Sequence, residues 1–406
     1  MSVDLRSRTD GPREAIDPEH FFAEELPAAF DANVDGIAPG ARWLDLRPLT
    51  LDVDGSSWTL AWDDGRMAVA PGPAEHGARV RLTPEQLDDL VSDQGSIMGF
   101  WTSGRLDQSA GRLGDLLDWW LVLRAALDQQ TIHTPGAVSF VDRDGGPLDL
   151  ERSFHADDDR DEMRYFLEQA GFLHIEGVFT EEEMAQVSTE MDSAAPGYAP
   201  DDGRSWWAKT ADDEQRLVRM QAFDDRSPAT ADLVDDSRFL SLAELTGDGH
   251  RWGKRPDNRI EALFKPIGIV RGISDVPWHK DCSLGRHSYE CCTLTVGISV
   301  TGADAVSGQL RVRPGSHRAL VWPALEQPQC DLPTIDLPTR TGDVTLHLSC
   351  TLHMAQPPVE RERRVMYSGF ALPALDPAAA AEARARLVAV REAASITVSQ
   401  APSHTI

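Results

Sequence analysis

The chain has 406 residues, of which 41% are hydrophobic, and its formal net charge is −27 at pH 7. This length exceeds what one hydrophobic core usually supports, so two domains are expected. The excess of carboxylates argues against a surface of clustered Lys and Arg, and with it against nucleic acid or an anionic membrane as a partner.

The cysteine content indicates a reducing compartment, and the hydropathy pattern predicts neither a membrane span nor a signal peptide. The chain has five cysteines, an odd number, and Cys291 and Cys292 are adjacent in a predicted strand, where neighbouring side chains point to opposite faces. A disulfide framework is therefore not expected, and a cytoplasmic location fits. We find no apolar run of about 18 residues that would span a membrane and no charged-then-apolar signal at the start.

A polar segment, residues 1–18, is predicted to be a flexible tail before a first domain at 19–130. Within this domain, Trp58–Trp62 and Arg66–Ala70 flank an Asp-Asp-Gly turn. Two runs of strand-forming residues around an Asp-Gly turn predict a β-hairpin.

A strand at Ala78–Leu82 and a helix follow the hairpin. Thr83 is a good N-cap, with Pro at the first helical position and Gln86 at the capping-box position. Further on, Asp115–Leu127 is a helix rich in Leu and Trp. This order resembles the sterol carrier protein 2 (SCP2) family, and the resemblance implies an apolar tunnel for a lipid. The open alternative is that the Trp residues of this domain only fill a core.

Residues 131–150 are predicted to be a linker, because Pro135-Gly136 and Gly145-Gly146-Pro147 interrupt regular structure. The second domain is expected at 151–385, with a C-terminal tail at 386–406.

The second domain contains a candidate metal-binding motif, Trp278-His279-Lys280-Asp281. On an extended segment, His279 and Asp281 point to the same side and can reach one ion. With His353 they form a 2-His-1-carboxylate set, which leaves three positions of an octahedral Fe(II) open.

Four further segments accompany the motif. They are the alternating strand Thr293–Val300, the turn-containing stretch Gly308–Arg318, the strand Gly342–Leu348 and the closing strand Arg364–Phe370. Together with the motif, this set resembles the phytanoyl-CoA dioxygenase (PhyH) family of Fe(II)/2-oxoglutarate oxygenases over roughly residues 150–375. The resemblance implies a double-stranded β-helix (jelly-roll, cupin-like) barrel with flanking helices, and the whole chain is expected to be an α+β protein.

The resemblance also implies the cofactors and their ligands. His279, Asp281 and His353 would bind Fe(II) and form the catalytic centre, with O2 and 2-oxoglutarate as cosubstrates. Arg364, eleven residues after His353, would bind the far carboxylate of 2-oxoglutarate through its planar guanidinium. Lys265, Lys280 and Thr293 are further predicted to contact the cofactor or the substrate.

Several alternatives remain open from the residues alone. His347 competes with His353 as the third ligand but is expected to be a hydrogen-bonded barrel histidine, and His317 is expected to be structural. Arg361 and Arg363 neighbour Arg364, so a shift of one position is possible. Lys280 stands where family members often have Gln, and Met354-Ala355 replaces a common Gly-Ser.

The predicted activity is hydroxylation of an unactivated C–H bond of a small hydrophobic molecule: a lipid, terpenoid, polyketide or acyl thioester. Desaturation, cyclisation and epimerisation use the same kind of site. Two other classes also remain, namely a non-catalytic lipid-binding or transport protein and a cupin-type Zn or Mn enzyme.

Overall fold

A computed structural model describes residues 15–385 except 45, 64, 253–257, 273, 283–292, 375 and 383–384. Most of the predicted N-terminal tail, the C-terminal tail and the pair Cys291 and Cys292 lie outside the described residues. Two large hydrophobic cores are present, one in each half of the chain. None of the described helices is long and apolar enough to cross a membrane.

The first half is a five-stranded sheet covered by helices. The helices are α1 (Pro18–His20), α2 (Leu26–Ala32), α3 (Val34–Leu44), α4 (Pro84–Val91), α5 (Ile97–Thr102) and α6 (Leu113–Asp128), with a π-helical turn at Phe21–Glu25. The strands are β1 (Leu49–Val53), β2 (Ser56–Asp63), β3 (Arg66–Pro71), β4 (Ala78–Leu82) and β5 (Asp107–Ala110), in the sheet order β3-β2-β1-β4-β5.

Local signals in this half are confirmed. The hairpin forms between β2 and β3, with Asp63 paired to Arg66 around the turn. Thr83 caps α4, and its side chain and that of Gln86 form the reciprocal capping box. Helix α6 buries both Trp119 and Trp120 in the core of this half.

The second half contains one large and one small sheet. Its strands are β6 (Phe154–His155), β7 (Phe172–Glu176), β8 (Ser205–Thr210), β9 (Gln215–Met220), β10 (Arg251–Trp252), β11 (Glu261–Lys265), β12 (Ile269–Arg271), β13 (Thr293–Ser299), β14 (Leu310–Val312), β15 (Ile335–Leu337), β16 (Val344–Leu348), β17 (His353–Ala355) and β18 (Arg363–Ala371). Its helices are α7 (Arg160–Ala170), α8 (Glu181–Ala194), α9 (Pro228–Val234) and α10 (Ser237–Leu240).

The large sheet has ten strands in the order β12-β8-β9-β11-β18-β13-β16-β7-β6, with β10 paired to β18, and the small sheet has the order β15-β14-β17. Every second residue of β13 packs into the core shared with the helices, namely Leu294, Val296 and Ile298. Their neighbours Thr295 and Gly297 therefore face the opposite side, where the hydroxyl of Thr295 bonds Asp281. This mixed α and β arrangement is consistent with the predicted barrel.

The predicted linker contacts both halves. Ile132 is fully buried in the N-terminal core, and its N–H donates to the carbonyl of Gly36. The N–H of His133 donates to Leu320 of the second half, and the His133 ring bonds Asp331 at 2.7 Å. Segment 131–150 is therefore docked on the two domains rather than free of them.

Candidate metal centre

The structure brings together the three predicted iron ligands. His279 and Asp281 lie on the extended segment before β13, and His353 opens β17. The backbone N–H of each histidine donates to the carbonyl of the other at 3.0 Å, which sets the two chains side by side. One potential ligand atom from each of the three residues lies within 4.8 Å of the others.

Backbone carbonyls determine the tautomer of both histidines. Nδ1 of His279 lies 2.7 Å from the carbonyl oxygen of Pro277, and Nδ1 of His353 lies 2.9 Å from that of Thr351. A carbonyl only accepts, so each Nδ1 carries the proton and each Nε2 keeps a free lone pair. Hydrogen bonds of this kind to the far ring nitrogen fix the orientation of metal-bound imidazoles.

Asp281 completes the set of donors. Its Oδ1 lies 3.5 Å from Nε2 of His279 and 3.6 Å from Nε2 of His353. Its Oδ2 accepts a hydrogen bond of 2.8 Å from the hydroxyl of Thr295, which keeps one oxygen facing the histidines. Thr295 was not predicted as a site residue, although its place in the alternating strand put it on the cavity face.

The electrostatics favour the deprotonated form of Asp281 and His353. Burial opposes ionisation of Asp281, but its interactions with His353, His279 and His347 hold its pKa well below the usual range. Burial, and then repulsion from His347 and His279, holds the pKa of His353 well below its ordinary value. A carboxylate and two neutral imidazoles are the protonation states that a divalent cation requires.

These residues fit Fe(II). Three electron-rich atoms point to one place without a proton between them, and a cation there would relieve their mutual repulsion. Two nitrogens and one oxygen on a single face are typical of non-haem Fe(II) sites with open coordination positions. The donor set thus agrees with the predicted cofactor.

The two adjacent arginines of β18 point to opposite faces. Arg364 lies on the outer face, where its guanidinium bonds Asp192 at 2.8 and 2.9 Å and Ser188 of α8. Arg363 is only 4% exposed, and its Nε and Nη2 have no hydrogen-bond partner among the described residues. The structure therefore does not bring Arg364 to the cavity face and places Arg363 there instead.

Lys265 is the cross-strand neighbour of Arg363. The two residues are directly paired between β11 and β18, and Lys265 is 4% exposed. Burial, and then repulsion from Arg363 and Arg219, holds the pKa of the Lys265 ammonium well below its usual value, with Asp275 opposing. Burial and mutual repulsion disfavour the charged forms of both groups, and an anion bound between them would relieve that repulsion.

Two other predicted contact residues have different surroundings. Lys280 is fully buried, but its Nζ donates to the carbonyl of Ser316 at 2.9 Å, on the side of the segment away from its ligands. The side chain of Thr293 shares a strand face with Thr295 and is half-buried at the start of β13. Neither residue is placed against the three iron ligands as Thr295 is.

His347 lies beside the ligands without belonging to them. Its ring centroid is 4.1 Å from that of His353, and its Nε2 is 3.5 Å from Oδ2 of Asp281. Neither ring nitrogen has a hydrogen-bond partner among the described residues, contrary to the expected hydrogen-bonded histidine. His317 is structural as expected, since it bonds the carbonyl of Glu168 at 2.9 Å, and burial lowers its pKa to about 4.

Comparisons with known proteins identify part of the chain. Residues 167–365 match the family model described as phytanoyl-CoA dioxygenase (PhyH). A search of curated proteins found no match. The match does not extend into the first half, so the SCP2-like assignment of that half stays a prediction.

Among solved structures, AviO1 from Streptomyces viridochromogenes Tue57 is 22% identical, with 54% of this chain and 97% of that chain covered and a TM-score of 0.42. EctD from S. alaskensis, with 2-oxoglutarate and 5-hydroxyectoine, is 17% identical, with coverage of 55% and 81% and a TM-score of 0.43. The carbocyclase SnoK from nogalamycin biosynthesis is 20% identical, with coverage of 54% and 87% and a TM-score of 0.42.

The family match covers all three predicted iron ligands and both arginines. It agrees with the predicted cofactors, Fe(II) and 2-oxoglutarate. Residues 167–365 are thus a domain of the phytanoyl-CoA dioxygenase family.

Proposed function

We propose that the protein is an Fe(II)- and 2-oxoglutarate-dependent dioxygenase that hydroxylates an unactivated C–H bond of a small hydrophobic molecule. One observation supports this most strongly: three candidate ligands converge in the same domain that buries Arg363, whose Nε and Nη2 have no hydrogen-bond partner among the described residues. The metal site would bind the chelating end of 2-oxoglutarate, and the separate anion site would bind its far carboxylate.

Each residue has a distinct role in this proposal. His279, Asp281 and His353 hold the iron, and Thr295 bonds Oδ2 of Asp281, which leaves Oδ1 facing His279 and His353. Bound Fe(II) with 2-oxoglutarate would supply dioxygen activation, with release of succinate and CO2. The protein's contribution is to hold the cosubstrate and place the C–H bond of the substrate beside the iron.

Arg363, rather than Arg364, is proposed to bind the far carboxylate of 2-oxoglutarate, with Lys265 beside it as a second nitrogen donor. The guanidinium of Arg364 already has a carboxylate partner, Asp192, whereas Nε and Nη2 of Arg363 are buried without one among the described residues. A dicarboxylate would satisfy these donors in the fork geometry that guanidinium favours.

Hydroxylation is the default outcome because Asp281 occupies the coordination position that a halogenase leaves open for halide. Desaturation, cyclisation or epimerisation would use the same residues. The net charge of −27 favours an uncharged substrate, such as a lipid, terpenoid or polyketide, over one that carries several phosphates.

The N-terminal domain does not favour the alternative of a lipid carrier. Its apolar cavity, lined by residues of β1, β4 and α6, has a volume of about 30 Å³. That is room for about two water molecules, too small for a lipid in this conformation.

Anaerobic titration with Fe(II) and 2-oxoglutarate tests the proposal. We expect a weak visible metal-to-ligand band, and then succinate release in air that a matching hydrophobic substrate stimulates. Asp281→Ala is the matched control and should give neither signal. A wild-type chain that binds iron but forms no band and no succinate with any member of a lipid, terpenoid and polyketide panel would contradict the proposal.

A further inference from the structure

One apolar segment of the second domain, Leu320–Leu325, is buried in the first domain. We call it the strap. Leu320, Trp322, Ala324 and Leu325 all belong to the N-terminal hydrophobic core, together with α6. Trp322 is 3% exposed, and its Nε1 donates a hydrogen bond of 2.8 Å to Oδ1 of Asp118 on α6.

The backbone of the strap pairs with the segment that carries two iron ligands. The N–H of Leu325 donates to the carbonyl of Trp278, and the N–H of Lys280 donates to the carbonyl of Pro323, both at 2.8 Å. Ala324 and His279 form an antiparallel bridge. On its other side, His279 is bridged to His353. The ligand segment therefore lies between the strap and β17.

The side chains of the strap pack against both domains. Trp322 and Ala324 enter the N-terminal core, whereas Val321 packs in a small cluster with Trp278 and Leu352. Trp278 directly precedes His279, and Leu352 directly precedes His353. The strap thus contacts the residues next to two of the three ligands while the first domain holds its opposite face.

We propose that the first domain positions the iron ligands through the strap, with Trp322 as the positioning residue and Asp118 as its anchor; this rests on the iron site proposed above. A metal site needs its ligands within about 0.5 Å of the productive geometry. Loosening Trp322 frees the strap, and the backbone bonds then no longer set the position of His279. Altering a group that bonds a metal ligand directly changes metal affinity by about 10–100-fold, and the strap, which bonds the backbone of the ligand segment, is expected at the lower end of that range.

The test compares four variants by Fe(II) affinity and by the absorption spectrum of the Co(II)-substituted full-length chain, well below the temperature of unfolding. Trp322→Ala should weaken Fe(II) binding about tenfold and alter the Co(II) bands. Trp322→Phe keeps most of the apolar surface but loses the indole donor, and should show a smaller shift in the same direction. Asp118→Leu should resemble it, whereas Asp118→Asn keeps an accepting oxygen and should restore wild-type values.

Trp58→Ala is the matched control. Trp58 is 8% exposed in the same core and stacks on Phe22, with ring centroids 4.7 Å apart. It should lower stability without changing Fe(II) affinity or the Co(II) spectrum. Equal Fe(II) affinities and Co(II) spectra in wild type, Trp322→Ala and Trp322→Phe would overturn the positioning role and leave the proposed oxygenase activity intact. A wild-type chain that binds no Fe(II) would overturn both.

Discussion

At the scale of single residues, the direction of a side chain decides between two adjacent arginines. Arg363 pairs with Lys265 on β11, and Arg364 stacks on Phe264, the preceding residue of the same strand, at 5.1 Å. Neighbouring residues of a strand always point to opposite faces, so only one of the two arginines can serve the cavity. The positive charge that both arginines carry therefore does not decide which of them can bind a ligand in the cavity.

Arg363→Ala is expected to raise the KM for 2-oxoglutarate strongly. Removing one member of a buried, hydrogen-bonded charge pair costs on the order of 2–5 kcal/mol, or about 30-fold or more in affinity. Arg363→Lys keeps the charge without the fork and should show a partial defect. Steady-state kinetics with 2-oxoglutarate as the varied substrate gives the measurement.

Arg364→Ala is the control for that experiment. Its ion pair with Asp192 is partly exposed, so its loss should cost about 1 kcal/mol of stability or less and leave the KM near wild type. If Arg364→Ala raised the KM for 2-oxoglutarate strongly and Arg363→Ala raised it only mildly, Arg364 rather than Arg363 would bind the far carboxylate.

His347 provides a second test between neighbours. His353→Ala should abolish Fe(II) binding because a ligand is lost, whereas His347→Ala should retain it because His347 only packs against His353 and Asp281. Equilibrium dialysis with iron quantification distinguishes the two variants. If His353→Ala retained iron and His347→Ala lost it, His347 rather than His353 would be the third ligand.

At the scale of elements, the contact of α6 with the strap is expected to depend on pH. Burial raises the pKa of Asp118 to about 7, although the hydrogen bond from Trp322 opposes this. The folded state thus binds a proton more tightly than the unfolded state. Protonated Asp118 therefore makes its full contribution to the free energy of unfolding below about pH 4. This contribution is lost as the pH rises towards 7.

Thermal unfolding of wild type and Asp118→Asn between pH 4 and 8 measures this effect. The variant cannot ionise at this position, so its melting temperature should fall less steeply between pH 4 and 7 than that of wild type. Parallel pH profiles for the two chains would show that Asp118 does not titrate with folding.

The sequence predicted local elements well and their long-range register poorly. The His-x-Asp pair, the capping box of Thr83 and the hairpin at Asp63 depend on residues close in the chain, and each was found from its spacing. Which arginine of β18 faces the cavity depends on pairing with β11 and β13, far away in the sequence. Both faces of β18 bury side chains, so no clear alternation of apolar and polar residues marks its register.

The strap was missed for a related reason. Leu320–Leu325 contains a Pro and has no helical or strand period, so nothing local indicates that it pairs with the ligand segment. Its apolar character is explained only by the N-terminal core, whose residues lie some two hundred positions earlier, as in the bond between Asp118 and Trp322. The predicted linker was rich in turn residues, and its contacts with Gly36 and Leu320 had no signal in its composition.

At the scale of the whole molecule, the two domains share a core, which changes the expectation for a shortened chain. The linker alone indicates that a chain beginning at Glu151 would fold independently. In the structure, removing residues 1–150 would expose Leu320, Trp322 and Leu325, which are 3%, 3% and 5% exposed in the whole chain. Burying one such side chain is worth about 1.5–3 kcal/mol, so their exposure costs a large part of the stability of a typical domain.

We therefore expect the chain beginning at Glu151 to aggregate or to bind Fe(II) much more weakly than the full chain. Co-expression with residues 1–150 as a separate polypeptide should restore solubility and iron binding, because the core between them can reassemble. Size-exclusion chromatography with iron quantification is the measurement. A monomeric, iron-binding chain from Glu151 with full-length affinity would show that the barrel sets its ligand geometry alone, and that the first domain is an appendage rather than part of the iron site.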